Sequence, residues 1–359
     1  MANRTTPFIY NEWYVVAFAD ELGPALLPRT ILDRTLVLYR TSDGTPVALD
    51  DRCVHRSFPL SSGTLRDDDV ICGYHGMRYD ATGTVIDVPS QARCPRGLSV
   101  RSYPLYETGP LVWAWMGAPE LADPAKIPAP ALVTSPDWVG RTGYFALQCN
   151  YVSLHENLLD LTHLSFLHAK SFGTPDYVSS PYEVTIEEGH YALLRRVVPT
   201  TLPPVWAKPT NMEGYPNAAR ITHSQFLSPA LHLVTATLYD NALPPNERTE
   251  FTIATCHIPT PETSGSCHYF ILNARSFAQD EDWITEFIHD QLFSAFQEDV
   301  DGLELLQLKL ELDDEREDFF EVSVPADRAG IEMRQYLKRR AASEAAGPNL
   351  MLVNQRSSM

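Results

Sequence analysis

Two short stretches decide how this chain is read: Cys53-Val-His55 and, after sixteen intervening residues, Cys72-Gly-Tyr-His75. Each offers one soft thiolate and one imidazole from a tight loop. Each loop follows an apolar strand, Pro46-Val-Ala-Leu49 in one case and Val70-Ile71 in the other. A rigid sheet can therefore present them as two facing tips, with both thiolates on one iron and both imidazoles on a second.

That division of ligands is the mark of a Rieske [2Fe–2S] centre. Neutral imidazoles carry less negative charge than thiolates, so they raise the reduction potential above that of all-cysteine clusters. Gly73 and Gly76 let the backbone approach the inorganic sulfurs. A structural zinc site uses the same residue types but pairs Cys with Cys and His with His, and here each loop mixes one of each. The other cysteines read differently. Cys256-His257 and Cys267-His268 lie in strand-like runs, where adjacent side chains point to opposite faces and cannot share a metal. Plain core or surface roles are expected for them, and small buried apolar roles for Cys94 and Cys149.

Polar chemistry is concentrated a second time in Asn157-Leu-Leu-Asp160-Leu-Thr-His163-Leu-Ser-Phe-Leu-His168, within a leucine-rich helical segment expected over about Tyr151 to Leu167. Asn157, Asp160 and His163 are spaced i, i+3, i+6 and would share a helix face. His168 falls about 140° from His163 on a regular helix, so the two meet one metal only if the helix ends or bulges between them. Two imidazoles and one carboxylate make a facial triad with open positions for oxygen. The carboxylate is sought in Phe296-Gln-Glu298-Asp299-Val-Asp301-Gly, on an amphipathic helix predicted over about 282–312. Side-chain chemistry alone leaves Glu298, Asp299 and Asp301 open, although Asp299 borders the Phe293/Phe296/Val300/Leu303 stripe more closely than Glu298.

The rest of the chain frames these two constellations. Its 359 residues, 44% hydrophobic and 21% charged, suit two soluble domains. The first, 1–120, reads as short strands and turns: Thr35–Tyr39 and Pro46–Leu49 flank the Ser42-Asp-Gly44 turn, and Leu111–Met116 is a buried strand. A proline-rich linker, Gly117 to Pro130, leads into 121–359, with strand-like stretches over about 182–275 and a closing helix near Ala326–Ala345. A net charge of −18 argues against nucleic acid. No apolar run approaches membrane length, and Met1-Ala-Asn-Arg-Thr-Thr lacks the apolar core of an export signal, so a cytoplasmic location is expected. His223, His232, Asn273 and Arg275 could read a substrate carboxylate or hydroxyl, and equally could pair with other polar groups of the chain. There is no Gly-x-Gly-x-x-Gly after a strand, so reducing equivalents must come from another polypeptide.

Taken together these segments resemble the Rieske non-haem iron oxygenases, and among them the single-subunit-type vanillate and dicamba O-demethylases. Asn11-Glu-Trp-Tyr-Val-Val-Ala and the cluster motif resemble the Rieske domain. Asn157 to His168 is similar to the family's Asn-x₂-Asp-x₂-His-x₄-His signature, Glu298-Asp299-x₄-Glu304 to its third-ligand helix, and Asp327-Arg-Ala-Gly-Ile-Glu-Met-Arg-Gln-Tyr-Leu to its last helix. The resemblance implies an all-β Rieske domain followed by an α+β helix-grip domain, an antiparallel sheet around a long helix. It implies cluster ligands Cys53, His55, Cys72 and His75, and a mononuclear Fe(II) on His163, His168 and Asp299. Asp160, with Asn157 beside it, would link the iron to the cluster of a neighbouring subunit in a homotrimer. Electrons would come from NAD(P)H through a separate flavin/iron–sulfur reductase or ferredoxin. The expected reaction is O-demethylation or monooxygenation of an aromatic acid, with ring cis-dihydroxylation or methyl or ring hydroxylation as the alternative.

Overall fold

The computed structural model describes residues 8–313 and 321–346; the N-terminal hexapeptide read above for an export signal lies outside the described residues. Two compact units emerge. One runs from Tyr10 to Ile127, and the other comprises, among the described residues, Phe8 and Ile9 with 128–313 and 321–346.

The smaller unit is built from β-strands and short turns. β1 (Trp13–Phe18) and the later β9 (Leu105–Thr108) both pair with β10 (Leu111–Trp115). A second sheet joins β2 (Leu27–Ile31), β3 (Arg34–Arg40) and β4 (Pro46–Asp50), and a third joins β5 (Thr64–Arg66), β6 (Asp69–Ile71), β7 (Arg78–Tyr79) and β8 (Val85–Asp87). The β3–β4 connection is held by Asp43, whose Oδ1 accepts from Thr41 Oγ1 (2.6 Å) and Thr45 N (3.0 Å) while Gly44 takes φ +90°. A short polar side chain and a residue free to adopt positive φ are what such a turn requires. Val37, Tyr39, Val47, Leu49, Leu60, Val70 and Tyr79 form a core beneath Cys53 and Cys72.

The larger unit centres on one antiparallel sheet in the order β11-β17-β16-β15-β14-β13-β12. The strands are β11 (Val139–Leu147), β12 (Tyr182–Glu187), β13 (His190–Thr200), β14 (Ala218–Ser228), β15 (Leu231–Asp240), β16 (Phe251–Pro261) and β17 (Cys267–Arg275). Its helices are α1 (Ala131–Thr134), α2 (Tyr151–Leu159), α3 (Pro204–Ala207), the long α4 (Asp282–Asp313) and α5 (Arg328–Ala346). α4 packs on β11 and β17, α2 packs on β14 to β16, and α5 packs on β12, β13 and α2. The predicted stripe on α4 is buried at Phe296, Val300 and Leu303, and Phe293 stacks on Phe145 at 4.2 Å. Each such side chain contributes roughly 1.5–3 kcal/mol, enough for this face to dictate how the helix seats. Among the described residues no helix is long and apolar enough to cross a membrane.

The helix expected over Tyr151–Leu167 is broken. Asn150 caps its start by accepting from Val152 N (2.8 Å), but α2 stops at Leu159. Asp160 turns extended (φ −118°, ψ 100°), and its Oδ1 accepts from Thr162 N (2.8 Å) to cap a separate 3₁₀ turn, Leu161–Ser165. A side chain that satisfies the first amide of a new turn competes with continuation of the old one. No π-bulge is needed, and Asn157, Asp160 and His163 do not share one regular helix face.

Candidate metal centres and substrate cavity

The two Cys/His loops of the smaller unit are built alike. In each, the cysteine N–H donates to a carbonyl five residues on (Phe58 O, 2.8 Å; Met77 O, 2.9 Å), and its own carbonyl accepts from the N–H four residues on (Ser57, 3.0 Å; Gly76, 3.0 Å). That fourth position is left-handed in both loops, φ +58° at Ser57 and +76° at Gly76. Gly73 has a different reason to lack a side chain, since a Cβ there would lie 2.7 Å from Ser62 O. The loops bury both thiols and expose both imidazoles, whose ring centroids are 4.6 Å apart. Tyr79 donates its hydroxyl to Cys53 Sγ (3.1 Å). Burial pushes the Cys72 thiol up, and the neighbouring Cys53 adds to this. Two buried soft donors below two exposed imidazoles fit a cluster divided as Cys₂ and His₂.

In the larger unit, ligand atoms of His163, His168 and Asp299 lie within 4.8 Å of one another. Their partners fix which atoms face inward. His163 Nδ1 donates to the main-chain carbonyl of Asp160 (2.5 Å), and His168 Nδ1 donates to Glu298 Oε2 (2.7 Å). Both Nε2 atoms therefore turn toward Asp299 Oδ1, at 3.6 Å and 3.0 Å. Two imidazole lone pairs and a carboxylate oxygen repel unless a cation or an added proton lies among them. This donor set fits a divalent metal and matches a facial triad in type. Burial lowers the His163 pKa. At His168 burial also pulls down, but its hydrogen bonds to Asp299 and Glu298 and the charges of those carboxylates together outweigh it and hold the pKa up. At Asp299 burial pushes up, but the His168 hydrogen bond, the charges of His168 and His163 and the Asn157 hydrogen bond together outweigh it, leaving the carboxyl below its usual range.

Of the three acids the sequence left open, only Asp299 reaches the two Nε2 atoms. Glu298 holds the far side of the His168 ring and itself accepts from Ser171 Oγ (2.8 Å), while Asp301 is exposed and takes a hydrogen bond from Gln297. Asn157 Nδ2 donates to Asp299 Oδ1 (3.2 Å). The main-chain carbonyl of Asp160, not its carboxylate, holds His163. The side chain is committed through Oδ1 to the turn, and it lines a groove shared with Asn157, His163 and Arg334.

His163 and Asp299 also line a partly open cavity whose empty space, counting what is open to solvent, is about 540 Å³. Its floor is the inward face of β14, β15 and β16, where alternate residues Arg220 and Thr222, Val234 and Ala236, and Ile253, Thr255 and His257 point the same way. Leu158, Leu161, Leu164, Phe172, Trp206, Leu292 and Phe296 make most of the remaining wall apolar. None of His223, His232, Asn273 and Arg275 lines it. His223 faces the other side of β14 from Arg220. His232 bonds Ser224 Oγ (2.8 Å) beside His155, and Arg275 ties down the turn before α4 through Ala278 O, Glu281 O and Thr285. His257, for which a plain core or surface role was expected from sequence, is in the wall against Phe296.

A cluster-type Cys₂His₂ module joined in one chain to an antiparallel sheet with a His/His/Asp site defines a Rieske-type oxygenase. Residues 12–104 match the Rieske [2Fe–2S] domain and residues 147–343 the vanillate O-demethylase oxygenase C-terminal domain. The chain is similar to the dicamba O-demethylase oxygenase component of Stenotrophomonas maltophilia, 36% identical with 76% of this chain and 80% of that protein covered. It is 34% identical to the toluene-4-sulfonate monooxygenase system iron–sulfur subunit of Comamonas testosteroni, covering 81% and 86%. It is also 31% identical to a Pseudomonas vanillate O-demethylase oxygenase subunit, covering 96% and 98%. A crystal structure of dicamba monooxygenase bound to 3,6-dichlorosalicylic acid superposes with a TM-score of 0.88 at 30% identity, over 95% of this chain and all of that one. The chain belongs to the vanillate O-demethylase type of Rieske non-haem iron oxygenase. It is accordingly an oxidoreductase that incorporates O₂, uses a [2Fe–2S] cluster and a non-haem iron, and depends on a separate reductase.

Proposed function

We propose that this oxygenase component oxidises a small aromatic compound by O-demethylation or monooxygenation, with Cys53, His55, Cys72 and His75 holding the cluster and His163, His168 and Asp299 the iron. The observation that carries this is the convergence of His163 and Asp299 on the wall of an apolar cavity sized for one small molecule. Support also comes from the compounds named for the relatives, vanillate, dicamba and toluene-4-sulfonate, all of them aromatic.

When bound, the iron supplies activation of dioxygen. The protein's own work is positional. Glu298 and the Asp160 carbonyl hold the two imidazoles by their Nδ1–H groups, so neither ring can rotate away. Phe172 stacks on His168 (4.5 Å) and with Leu158, Leu161 and Phe296 keeps water from the reacting carbon. A bound cluster would supply electron transfer, and His55 and His75, both exposed, would be its ligands nearest a partner. In a head-to-tail homotrimer the Asp160 carboxylate reaches one of those imidazoles on a neighbouring subunit, and its main-chain carbonyl completes the path to His163. For a methoxy substrate, one O₂, two electrons and two protons give the phenol, formaldehyde and water. The unpaired cysteines suit a reducing cytoplasm.

The test is oxygen uptake and product analysis with a panel of methoxybenzoates and benzoates, a surrogate reductase and the iron-loaded protein. Formaldehyde released with the phenol supports demethylation. A cis-diol would shift the reaction to the alternative, and uptake unaffected by every aromatic would overturn the proposal.

A further inference from the structure

The cavity contains a buried cation with no carboxylate in ion-pair contact among the described residues. Arg220 is 3% exposed, yet its guanidinium forms no ion pair among the described residues, and its Nε has no hydrogen-bond partner there. Nη1 donates to the main-chain carbonyl of Phe172 (2.8 Å), and the rings of Trp206 (4.8 Å), Tyr177 (4.9 Å) and Phe172 (5.6 Å) surround the guanidinium carbon. Asp176, whose buried Oδ1 has no hydrogen-bond partner among the described residues, acts on it electrostatically without forming an ion pair there. An arginine stays charged in such a place, and a charge stripped of water without a counter-ion is costly. Aromatic faces and one carbonyl recover only part of that cost.

Position gives the charge a use. Arg220 sits on the inward face of β14 and lines the same cavity as His163 and Asp299, and it is the one basic side chain besides the two imidazoles His163 and His257 in that wall. Phe172 contacts both groups, its ring centroid 4.5 Å from the His168 ring and 5.6 Å from the Arg220 guanidinium carbon, so one aromatic side chain links the cation to the His163/His168/Asp299 site. We propose that Arg220 is the anion receptor of this cavity. The substrate is then an aromatic carboxylate or sulfonate, with its charged group on the guanidinium and the carbon to be oxidised toward His163, His168 and Asp299. This deepens the aromatic-oxygenase proposal above and rests on it.

Calorimetric binding to the metal-loaded full-length protein tests it with matched ligands: 4-methoxybenzoate, 4-methylbenzenesulfonate and the neutral 4-methoxybenzamide. The wild type is expected to bind at least one anion about tenfold or more tighter than the amide, and the stronger of the two identifies carboxylate or sulfonate as the natural group. Arg220→Gln, checked for folding by its mononuclear iron content and thermal melting, is expected to weaken that anion by about 100-fold while leaving the amide within about threefold, and Arg220→Lys to restore much of the preference. Equal wild-type affinity for amide and anions overturns the proposal and needs no variant. So does an Arg220→Gln protein that loses all three ligands alike, which would mark a purely structural arginine, and so does failure of every ligand to bind. Oxygen uptake coupled to the neutral aromatic in those cases would leave the oxygenase proposal standing; no coupled uptake with any aromatic would remove both.

Discussion

Glu298 and Asp299 are neighbours in sequence, yet they touch opposite nitrogens of one ring: Glu298 Oε2 lies 2.7 Å from His168 Nδ1, and Asp299 Oδ1 lies 3.0 Å from His168 Nε2. One carboxylate orients the imidazole and the other shares its metal-facing side. Their substitutions should therefore fail differently. Asp299→Ala is expected to lose the mononuclear iron and all product formation with the cluster spectrum intact. Glu298→Gln keeps the fold and weakens iron affinity by roughly 10–100-fold. Iron titration of both proteins checks this, and the opposite order would reassign the third ligand.

Asp160→Asn retains the main-chain carbonyl that holds His163 and an oxygen that can cap Thr162, so both metals and the assembly should persist. Only the negative charge and its acceptor capacity toward a neighbour are lost. Cluster re-oxidation in single turnover is expected to slow by orders of magnitude. Near-normal re-oxidation in a fully metallated variant would sink the bridging role.

Cys72→Ser removes a buried soft ligand from one of two matched loops, and metal-binding free energy here is also folding free energy. The visible absorbance should be bleached and the smaller unit destabilised. Full absorbance would strike Cys72 from the ligand set.

Gly173 follows Phe172 in the turn beyond His168, where an added Cβ would fall 1.6 Å from Leu164 O and 2.9 Å from His168 O. Backbone on both sides cannot yield cheaply. Gly173→Ala should cost about 2 kcal/mol or more of stability and loosen the iron, because the segment carrying both histidines must shift. A melting temperature and iron affinity equal to wild type would contradict this.

Where the sequence was legible, a local pattern carried the information. Mixed Cys/His loops after apolar strands announce themselves without tertiary knowledge, and so do two histidines and an aspartate among leucines. The rest depended on contacts between distant segments. Asp299 separates from Glu298 only when α4 is seated and one of them falls inside the triangle with His163 and His168. An end to the helix between His163 and His168 was foreseeable, since the two cannot meet on a regular helix, and the 3₁₀ turn does end there at Ser165; the earlier break at Asp160 was not, because that aspartate also reads as a plain helix residue. Arg220 was missed because an arginine in Ala218-Ala-Arg-Ile-Thr-His-Ser reads as a solvated strand position. Ala218, Thr222, Ser224 and Phe226 at period two were the available signal for its inward face, and the same alternation places His223 outward.

The most direct measurement is a single turnover of the anaerobically reduced, iron-loaded protein with ¹⁸O₂ and 4-methoxybenzoate, with mass analysis of the formaldehyde trapped at once. The account predicts ¹⁸O in the formaldehyde, phenol product limited by the mononuclear iron content, and none from Asp299→Ala with its cluster still reduced. Product that lacks ¹⁸O, or forms equally in Asp299→Ala, would contradict the assignment of His163, His168 and Asp299 as the oxygen-activating centre.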